Sequence, residues 1–215
     1  MIDIIAQINA VNREVGSRSA GDGEGIGVLL RRRYDAPIQD VWEALTDPDR
    51  MKRWFLPVSG DLRAGGDFQL EGNAGGRILR CEPPGLLKVT FGAESSLVEL
   101  RLSPDGEDAT IFELEHTVPL EMAGSGAGAL YVGPGWDGAV MALGLFVTGE
   151  VADDPVAAAN SPEGQEFSRR SVHAWIEAIE ASGTAGAAEI AAAAEVSLAQ
   201  FAPDAGSTAE GSGNA

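Results

Sequence analysis

The segment from Trp136 to Val147 constrains the fold more than any other stretch of this chain. It reads WDGAVMALGLFV, so apolar side chains cover nearly the whole circumference of a helix. One face would carry Trp136, Val140, Leu143 and Val147, and Met141 and Leu145 would lie away from it. A helix that is apolar all round has to be buried on both sides. The sequence therefore predicts two covering layers, one on each face of this helix.

Short strands supply the first layer. Turn sequences such as Ala64-Gly65-Gly66 and Ser103-Pro104-Asp105-Gly106 separate them, and short links make neighbouring strands antiparallel. The pattern predicts one meandering sheet of seven strands: Gly27 to Tyr34, Val58 to Leu62, Asp67 to Glu71, Arg77 to Glu82, Leu86 to Phe91, Ser96 to Leu102 and Ala109 to Val118.

Alternation along these strands predicts which face of the sheet is dry. Apolar residues recur with period two, as in Leu87, Val89 and Phe91, and the intervening positions carry carboxylates such as Glu113 and Glu115. Two short helices follow the first strand. The first begins near Pro37, and Asp47 and Pro48 start the second.

The second layer is predicted from the later part of the chain. A helix around Glu163 to Ile179 carries Phe167, Ser171, Trp175 and Ile179 at four-residue spacing, and a further helix covers Ala187 to Phe201. At the other end of the chain, a helical stripe is formed by Ile2, Ile4, Ile5, Ile8, Val11 and Val15. The glycine-rich stretch from Gly16 to Gly25 that follows is typical of a flexible connector.

These patterns divide the chain into four parts. Residues 1–25 are predicted to form an N-terminal helix and linker, 26–150 the main domain, 151–202 a helical extension and 203–215 a disordered tail. The tail is assigned because it holds no large apolar side chain, so folding could not offset the entropy of ordering it.

The sequence YDAPIQDVWEALTDPDRMKRWF, from Tyr34 to Phe55, resembles the opening of START-like (SRPBCC) proteins. The most similar branch is the bacterial homologues of the heat-shock-protein-90 ATPase activator. The resemblance continues through Glu82-Pro83-Pro84, Leu114-Glu115-His116 and Gly135-Trp136, and it spans about Val28 to Thr148. It implies an α+β helix-grip fold, in which a curved sheet wraps around a long helix and leaves a space between them.

Charge and composition exclude several classes of partner. The chain has 15 basic and 33 acidic residues, a net charge of −18, which disfavours nucleic acid and anionic membranes. Arg31, Arg32 and Arg33 do not form one patch, because consecutive strand residues point to opposite faces. No apolar run is long enough to span a membrane, and the N-terminus lacks the basic residues and cleavage site of a signal peptide, so we expect a cytoplasmic protein. A homodimer is compatible with the sequence.

Catalytic and metal-binding motifs are sparse. The two histidines lie far apart and form no zinc-binding pair, and Cys81 is the only cysteine, so neither a metal nor a cofactor is predicted. By alternation, His116 points to the same side as Leu114. It is either a core histidine with ordinary hydrogen bonds or the polar anchor of a ligand.

The predicted function is non-catalytic binding of a small hydrophobic or lipid-like ligand between the sheet and the long helix. The same aromatic residues would also suit an ordinary core, and the resemblance favours a pocket. The candidate ligand-binding residues are Trp54, Phe68, Phe91, His116, Tyr131, Trp136, Val140 and Leu143. Two alternatives stay open. One is an enzyme resembling polyketide cyclases, with His116 or Tyr131 as acid or base. The other is a co-chaperone that contacts a protein partner.

Overall fold

A computed structural model describes residues 2–21, 23–150 and 152–203 of the chain. Within these residues the secondary structure alternates between a sheet and groups of helices. In chain order the elements are α1 (Ile4–Asn9), β1 (Val11–Ala20), β2 (Gly23–Tyr34), α2 (Ile38–Thr46), α3 (Pro48–Met51), β3 (Val58–Gly60), β4 (Asp67–Leu70), β5 (Gly75–Glu82), β6 (Leu86–Phe91), β7 (Ala93–Pro104), β8 (Thr110–Pro119), α4 (Leu120–Ala123), a 3-10 helix (Gly126–Tyr131), α5 (Gly133–Val147), α6 (Pro155–Ala159), α7 (Pro162–Ser182) and α8 (Ala187–Phe201).

The strands form a single antiparallel sheet in the order β1-β2-β8-β7-β6-β5-β4-β3. Its apolar face lies against α5, and the short helices α2 and α3 cover one end of the space between them. This is the predicted α+β helix-grip arrangement. All seven predicted strands are present, and the sheet gains an eighth strand, β1, that the sequence analysis did not predict.

The N-terminal segment is the main departure from the prediction. The helix ends at Asn9, and β1 then pairs with β2 from Val11 opposite Arg32 to Ala20 opposite Gly23. Val11 and Val15 are four residues apart, a spacing that places two side chains on one face of either a helix or a strand. The predicted linker is therefore wrong for the described residues 16–21 and 23–25.

One glycine of that segment shows why it resembled a linker. A Cβ atom at Gly25 would lie 2.5 Å from the carbonyl oxygen of Val118 on β8 and 2.7 Å from Cβ of Ala20 on β1, so a side chain there would require the strands to shift. Gly25 therefore reflects close packing between strands rather than freedom of the chain. The predicted disordered tail at residues 203–215 lies, except for Pro203, outside the described residues.

Helices α2 and α3 form where the sequence placed them. The α2 helix buries Val41, Trp42 and Ala44, and the Asp47 carboxylate accepts a hydrogen bond from the amide of Asp49 to begin α3. Pro48 occupies the first turn, where a missing amide hydrogen has no cost.

Helix α5 is covered on both sides, as its composition requires. Val140 and Leu143 face the sheet, and Met141 and Leu145 face α6 and α7. On α7, the predicted four-residue stripe is fully buried, with Phe167, Trp175 and Ile179 exposing at most 2% of their surface. The C-terminal helices therefore form the second layer.

One carboxylate is buried among these apolar layers. Asp137 on α5 is fully buried, and Nε of Arg13 on β1 donates to its two oxygens at 2.9 and 3.1 Å. From α7, the Ser171 hydroxyl and the Trp175 indole nitrogen also donate to it, the latter at 3.0 Å. Burial raises the pKa of Asp137, and these donors oppose that rise. The aspartate thus joins β1, α5 and α7.

The arginines of β2 alternate as predicted. Arg31 pairs with Glu113 on the wet face, and Arg33 pairs with Asp35 and Asp105. Arg32 points inward, where its guanidinium donates to the side chain of Gln7 at 2.8 Å and lies over the ring of Tyr34. Desolvation lowers the pKa of Arg32. The three side chains form no common basic patch.

Deleting residues 152–215 should expose the outer face of α5 and cause aggregation or a large loss of stability. The deletion removes α7, and with it the cover over Met141 and Leu145. Solubility and urea unfolding of the purified proteins provide the measurement. The control removes only residues 204–215 and should behave as the full chain. A soluble, monomeric and equally stable 1–151 fragment would contradict the two-layer account.

Replacing Arg13 by methionine should destabilise the protein by ~3–5 kcal/mol, because it leaves the Asp137 carboxylate buried without its counter-charge. Adding Asp137→Asn should recover part of that loss, since the double variant buries no ion. The urea midpoints of the two variants and the wild type, at constant m-value, measure both effects. An Arg13→Met protein as stable as the wild type would show that the pair contributes nothing.

Candidate functional site

A cavity of about 170 Å³ lies between the apolar face of the sheet and α5. We call it the inner cavity. The sheet contributes side chains from six strands, β3 to β8, α5 contributes one face, and α2, α3 and the residues around them close one end. The residues that line it include Thr46, Met51, Trp54, Phe55, Leu62, Phe68, Ile78, Cys81, Phe91, Val98, Phe112, Trp136, Ala139, Val140 and Leu143.

Burial differs among the residues that line the inner cavity. Phe112 and Leu143 at the deep end expose 2% and 1% of their surface. Met51 and Phe55 are only half-buried, and Leu62 is 38% exposed. The cavity therefore has its mouth between α3 and the segment that joins β3 to β4.

Six of the eight predicted site residues line this cavity. They lie on β4, β6, α5 and the segment after α3, and they are Trp54, Phe68, Phe91, Trp136, Val140 and Leu143. The strand alternation and the helical face predicted for α5 account for this placement, because each pattern fixed the side to which a residue points.

Tyr131 lies elsewhere. It ends the 3-10 helix before α5, is 45% exposed and does not line the inner cavity. The sequence analysis selected it as a candidate ligand-binding residue and as a candidate acid or base near the loop before α5. The loop instead packs against α8 at the other end of α5, where the Ser197 hydroxyl donates to the carbonyl oxygen of Leu130 at 2.7 Å. The placement of Tyr131 in the pocket is therefore corrected.

His116 points inward as predicted but lies behind the cavity wall rather than in it. Its Nδ1 accepts a hydrogen bond from the Trp136 indole nitrogen at 3.0 Å, and its Nε2 lies 2.8 Å from the Ser96 hydroxyl oxygen. An indole N–H can only donate, so Nδ1 carries no proton. The neutral ring then carries its proton on Nε2 and donates it to Ser96.

Burial lowers the pKa of His116 to about 4, so the ring is neutral near pH 7. Both ring nitrogens are already occupied by protein partners. The arrangement matches the core-histidine alternative, because no nitrogen remains to anchor a ligand or transfer a proton. Its effect on the site is indirect. It fixes the Trp136 indole against Phe91, whose ring centroid lies 5.2 Å away.

The walls of the inner cavity offer little free polar chemistry. The Trp54 indole nitrogen donates to the carbonyl oxygen of Ala44 at 3.0 Å, and the Thr46 hydroxyl donates to that of Trp42 at 2.8 Å. Cys81 contributes a half-buried thiol, and burial raises its pKa. Among the described lining residues, no acid or base is ready to exchange a proton at neutral pH.

The sequence analysis missed the residues that form the mouth. Met51, Phe55 and Leu62 line the cavity but were not among the eight candidate ligand-binding residues. Met51 ends α3 and Phe55 follows it, and both belonged to the apolar face expected for the second short helix. Leu62 had no comparable signal, because it follows a three-residue strand and lies in a loop.

Two further properties follow from the described residues. None of their histidine, cysteine, aspartate and glutamate side chains form a group of three or more that could hold a metal ion. In that same part of the chain, no helix has the length and apolar character needed to cross a membrane.

The sheet gripping α5, with an apolar cavity between them, defines a START-like protein. The chain belongs to the family described as Activator of Hsp90 ATPase homolog 1-like protein, whose sequence profile matches residues 35–144, about half of the chain.

Solved structures extend the similarity beyond that segment. The crystal structure of CalU16 from Micromonospora echinospora is 43% identical, with a TM-score of 0.66 over 79% of this chain and 98% of that one. Its solution NMR structure gives 42% identity and a TM-score of 0.67 over 80% and 96% of the two chains. A protein of unknown function from Enterococcus faecalis, at 15% identity and a TM-score of 0.56 over 81% and 95%, shares the fold alone. A comparison with curated proteins gave no match.

The His116 environment predicts how stability depends on pH. The folded protein keeps the ring neutral down to about pH 4, whereas the unfolded chain takes up the proton near 6.5. The unfolded state therefore binds more protons between these values, and stability falls as pH decreases from 6.5 to 4, by about 3 kcal/mol in total. Urea unfolding across this range measures the loss.

The control for this effect is His116→Gln, whose amide can accept from Trp136 and donate to Ser96 without titrating. The difference in unfolding free energy between the wild type and this variant should shrink as pH decreases from 6.5 to 4. A constant difference across that range would show that His116 is not held neutral by the fold.

Proposed function

We propose that this protein binds one small, uncharged apolar molecule in the inner cavity and does not convert it. The observation that carries the proposal is the state of the polar groups around the cavity. The indole nitrogens of Trp54 and Trp136 and the Thr46 hydroxyl all donate to protein atoms. A ligand would therefore meet mainly hydrocarbon and aromatic surface, which is the usual composition of ligand pockets.

The volume of the cavity limits the size of the ligand. Apolar cavities of about 150 Å³ are known to bind benzene, so a space of about 170 Å³ suits one substituted ring or a short branched chain. A longer, lipid-like molecule would require the mouth to widen. Leu62, the most exposed residue of the lining, and the half-buried Met51 and Phe55 are the side chains at the mouth that could move.

Charge limits the ligand further. An ionised group placed in this cavity would lose its hydration without gaining a counter-ion, at a cost of several kcal/mol. The net charge of −18 adds a long-range penalty for anions. Neutral molecules are therefore favoured over fatty acids or phosphorylated compounds.

The cyclase-like alternative requires a proton donor or acceptor within reach of the ligand. His116 is held by Trp136 and Ser96 behind the wall, and Tyr131 is exposed on another part of the surface. The remaining titratable side chain of the lining is Cys81, whose thiol burial keeps protonated. Binding without conversion is therefore the function that this arrangement favours.

The family description also suggests a protein-contact role. That role is the alternative that would be left if no apolar molecule bound to the inner cavity. We place the protein in the cytoplasm, as the sequence analysis expected, where a binding protein would hold an apolar metabolite out of water. A homodimer would be compatible with this role.

The test uses 4-fluorotoluene as an uncharged probe and 4-fluorobenzoate as its charged counterpart, both observed by fluorine NMR. Fluorotoluene should give a bound resonance that disappears in Ala139→Phe, because the added ring grows from α5 into the inner cavity. Fluorobenzoate should not bind. Native mass spectrometry of the purified protein then identifies any co-purified ligand of the same class.

Leu79→Phe is the matched control, since it adds apolar volume on the opposite face of the sheet, next to the cavity residue Ile78. It should bind the probe as the wild type does. If Ala139→Phe left every bound resonance of the probe unchanged, the inner cavity would be excluded as its binding site. If His116→Gln retained binding but abolished conversion of a polyketide-like substrate, an enzyme would replace this proposal.

A further inference from the structure

A second space of about 180 Å³ lies on the other side of α5, between that helix and the C-terminal helices. We call it the outer cavity. Its walls include Met141 and Leu145 from α5, Pro155 and Ala158 from α6, and Phe167 from α7. Its walls are mainly apolar, although unlike the inner cavity it also has charged residues in its lining, and α6 and α7 lie outside the segment that the family profile matches.

The two cavities share one side chain. Trp54 lines both of them, and the hydrogen bond from its indole nitrogen to the Ala44 carbonyl oxygen holds the ring between them. The neighbouring Arg53 also lines the outer cavity, with its guanidinium 5.1 Å from the centroid of the Phe146 ring. The short segment after α3 thus contributes to the walls of both cavities, on either side of α5.

An empty apolar cavity lowers stability in proportion to its volume, because its lining loses contacts that neither protein nor water replaces. A bound apolar molecule would restore those contacts. The size excludes a helix from a partner protein, because one helical turn with its side chains occupies on the order of 400 Å³. The occupant that fits is a small molecule.

The rim of the outer cavity indicates the charge of that molecule. It carries Arg53 and Glu150, and neither makes an ion pair within the described part of the chain. Glu163, also at the rim, accepts a hydrogen bond from the amide of Ile2 at 2.8 Å. Because the rim carries charges of both signs, it favours neither an anion nor a cation, and the apolar walls would leave an ionised group without its hydration, so a neutral end that donates or accepts a hydrogen bond is favoured.

We propose that the outer cavity is a second binding site, for a small neutral molecule with an apolar body. It would bind on the opposite side of α5 from the inner cavity and be enclosed by the C-terminal helices. This site does not depend on the inner one, so either can exist without the other.

Two adjacent residues of α5 allow the sites to be separated. Gly138 lines the outer cavity, and a Cβ atom there would meet nothing within 4 Å. Ala139 lines the inner cavity. Gly138→Phe should therefore fill the outer space, and Ala139→Phe the inner one, by the same side chain on consecutive positions of one helix. Replacing a mid-helix glycine also favours the helix.

With 4-fluorotoluene as the probe, the wild type should show two bound fluorine resonances at saturation. Gly138→Phe should remove one and Ala139→Phe the other, and the double variant should show neither. Ala142→Phe, which fills the outer cavity from a different position, should repeat the effect of Gly138→Phe. Thermal unfolding without the probe confirms that each variant is folded.

A single bound resonance that Ala139→Phe removes and both outer variants leave unchanged would overturn the outer site while supporting the inner one. Two resonances that both survive Gly138→Phe and Ala142→Phe would also overturn it. The reverse result, a resonance that only the outer variants remove, would support this site and reject the function proposed for the inner cavity.

Discussion

The structure depends on the requirement that α5 be buried on every side. A helix of this composition gains stability only when both faces leave water, since about 25 cal/mol is gained for each Å² of apolar surface buried. The sheet can cover one face, as Val140 and Leu143 show, and α7 covers the other through Phe167 and Trp175. The helical extension is for this reason part of the fold's core rather than an appendage.

Much of this could be predicted because it follows from periodicity. The period of two fixed the dry face of the sheet, and the four-residue stripe on α7 identified Phe167 and Trp175 as core residues. Periodicity failed where two periods coincide. Val11 and Val15 suit a helix and a strand equally, and the strand forms because β1 pairs with the adjacent strand β2, from Val11 opposite Arg32 to Ala20 opposite Gly23.

The candidate site was predictable to the same extent. Patterns show which side a residue faces, so they placed Phe91, Trp136 and Leu143 at one cavity. They do not show which neighbours a side chain meets. His116 uses both ring nitrogens in hydrogen bonds to Ser96 and Trp136, each twenty residues away in sequence. It therefore holds Trp136 in place and does not anchor a ligand. The partners of Asp137, up to 124 residues away, were equally beyond local reasoning.

The position of that aspartate bears on how such chains can be shortened or recombined. The matched family segment, residues 35–144, contains Asp137 but none of Arg13, Ser171 and Trp175. A fragment cut at those limits would keep the acid and discard every group that neutralises or hydrogen-bonds it. The limits of the family profile are thus narrower than the set of residues that surround this buried carboxylate. The first strand and α7 both supply donors to Asp137, so a chain that lost either would leave part of the hydrogen-bonding capacity of this buried carboxylate unsatisfied.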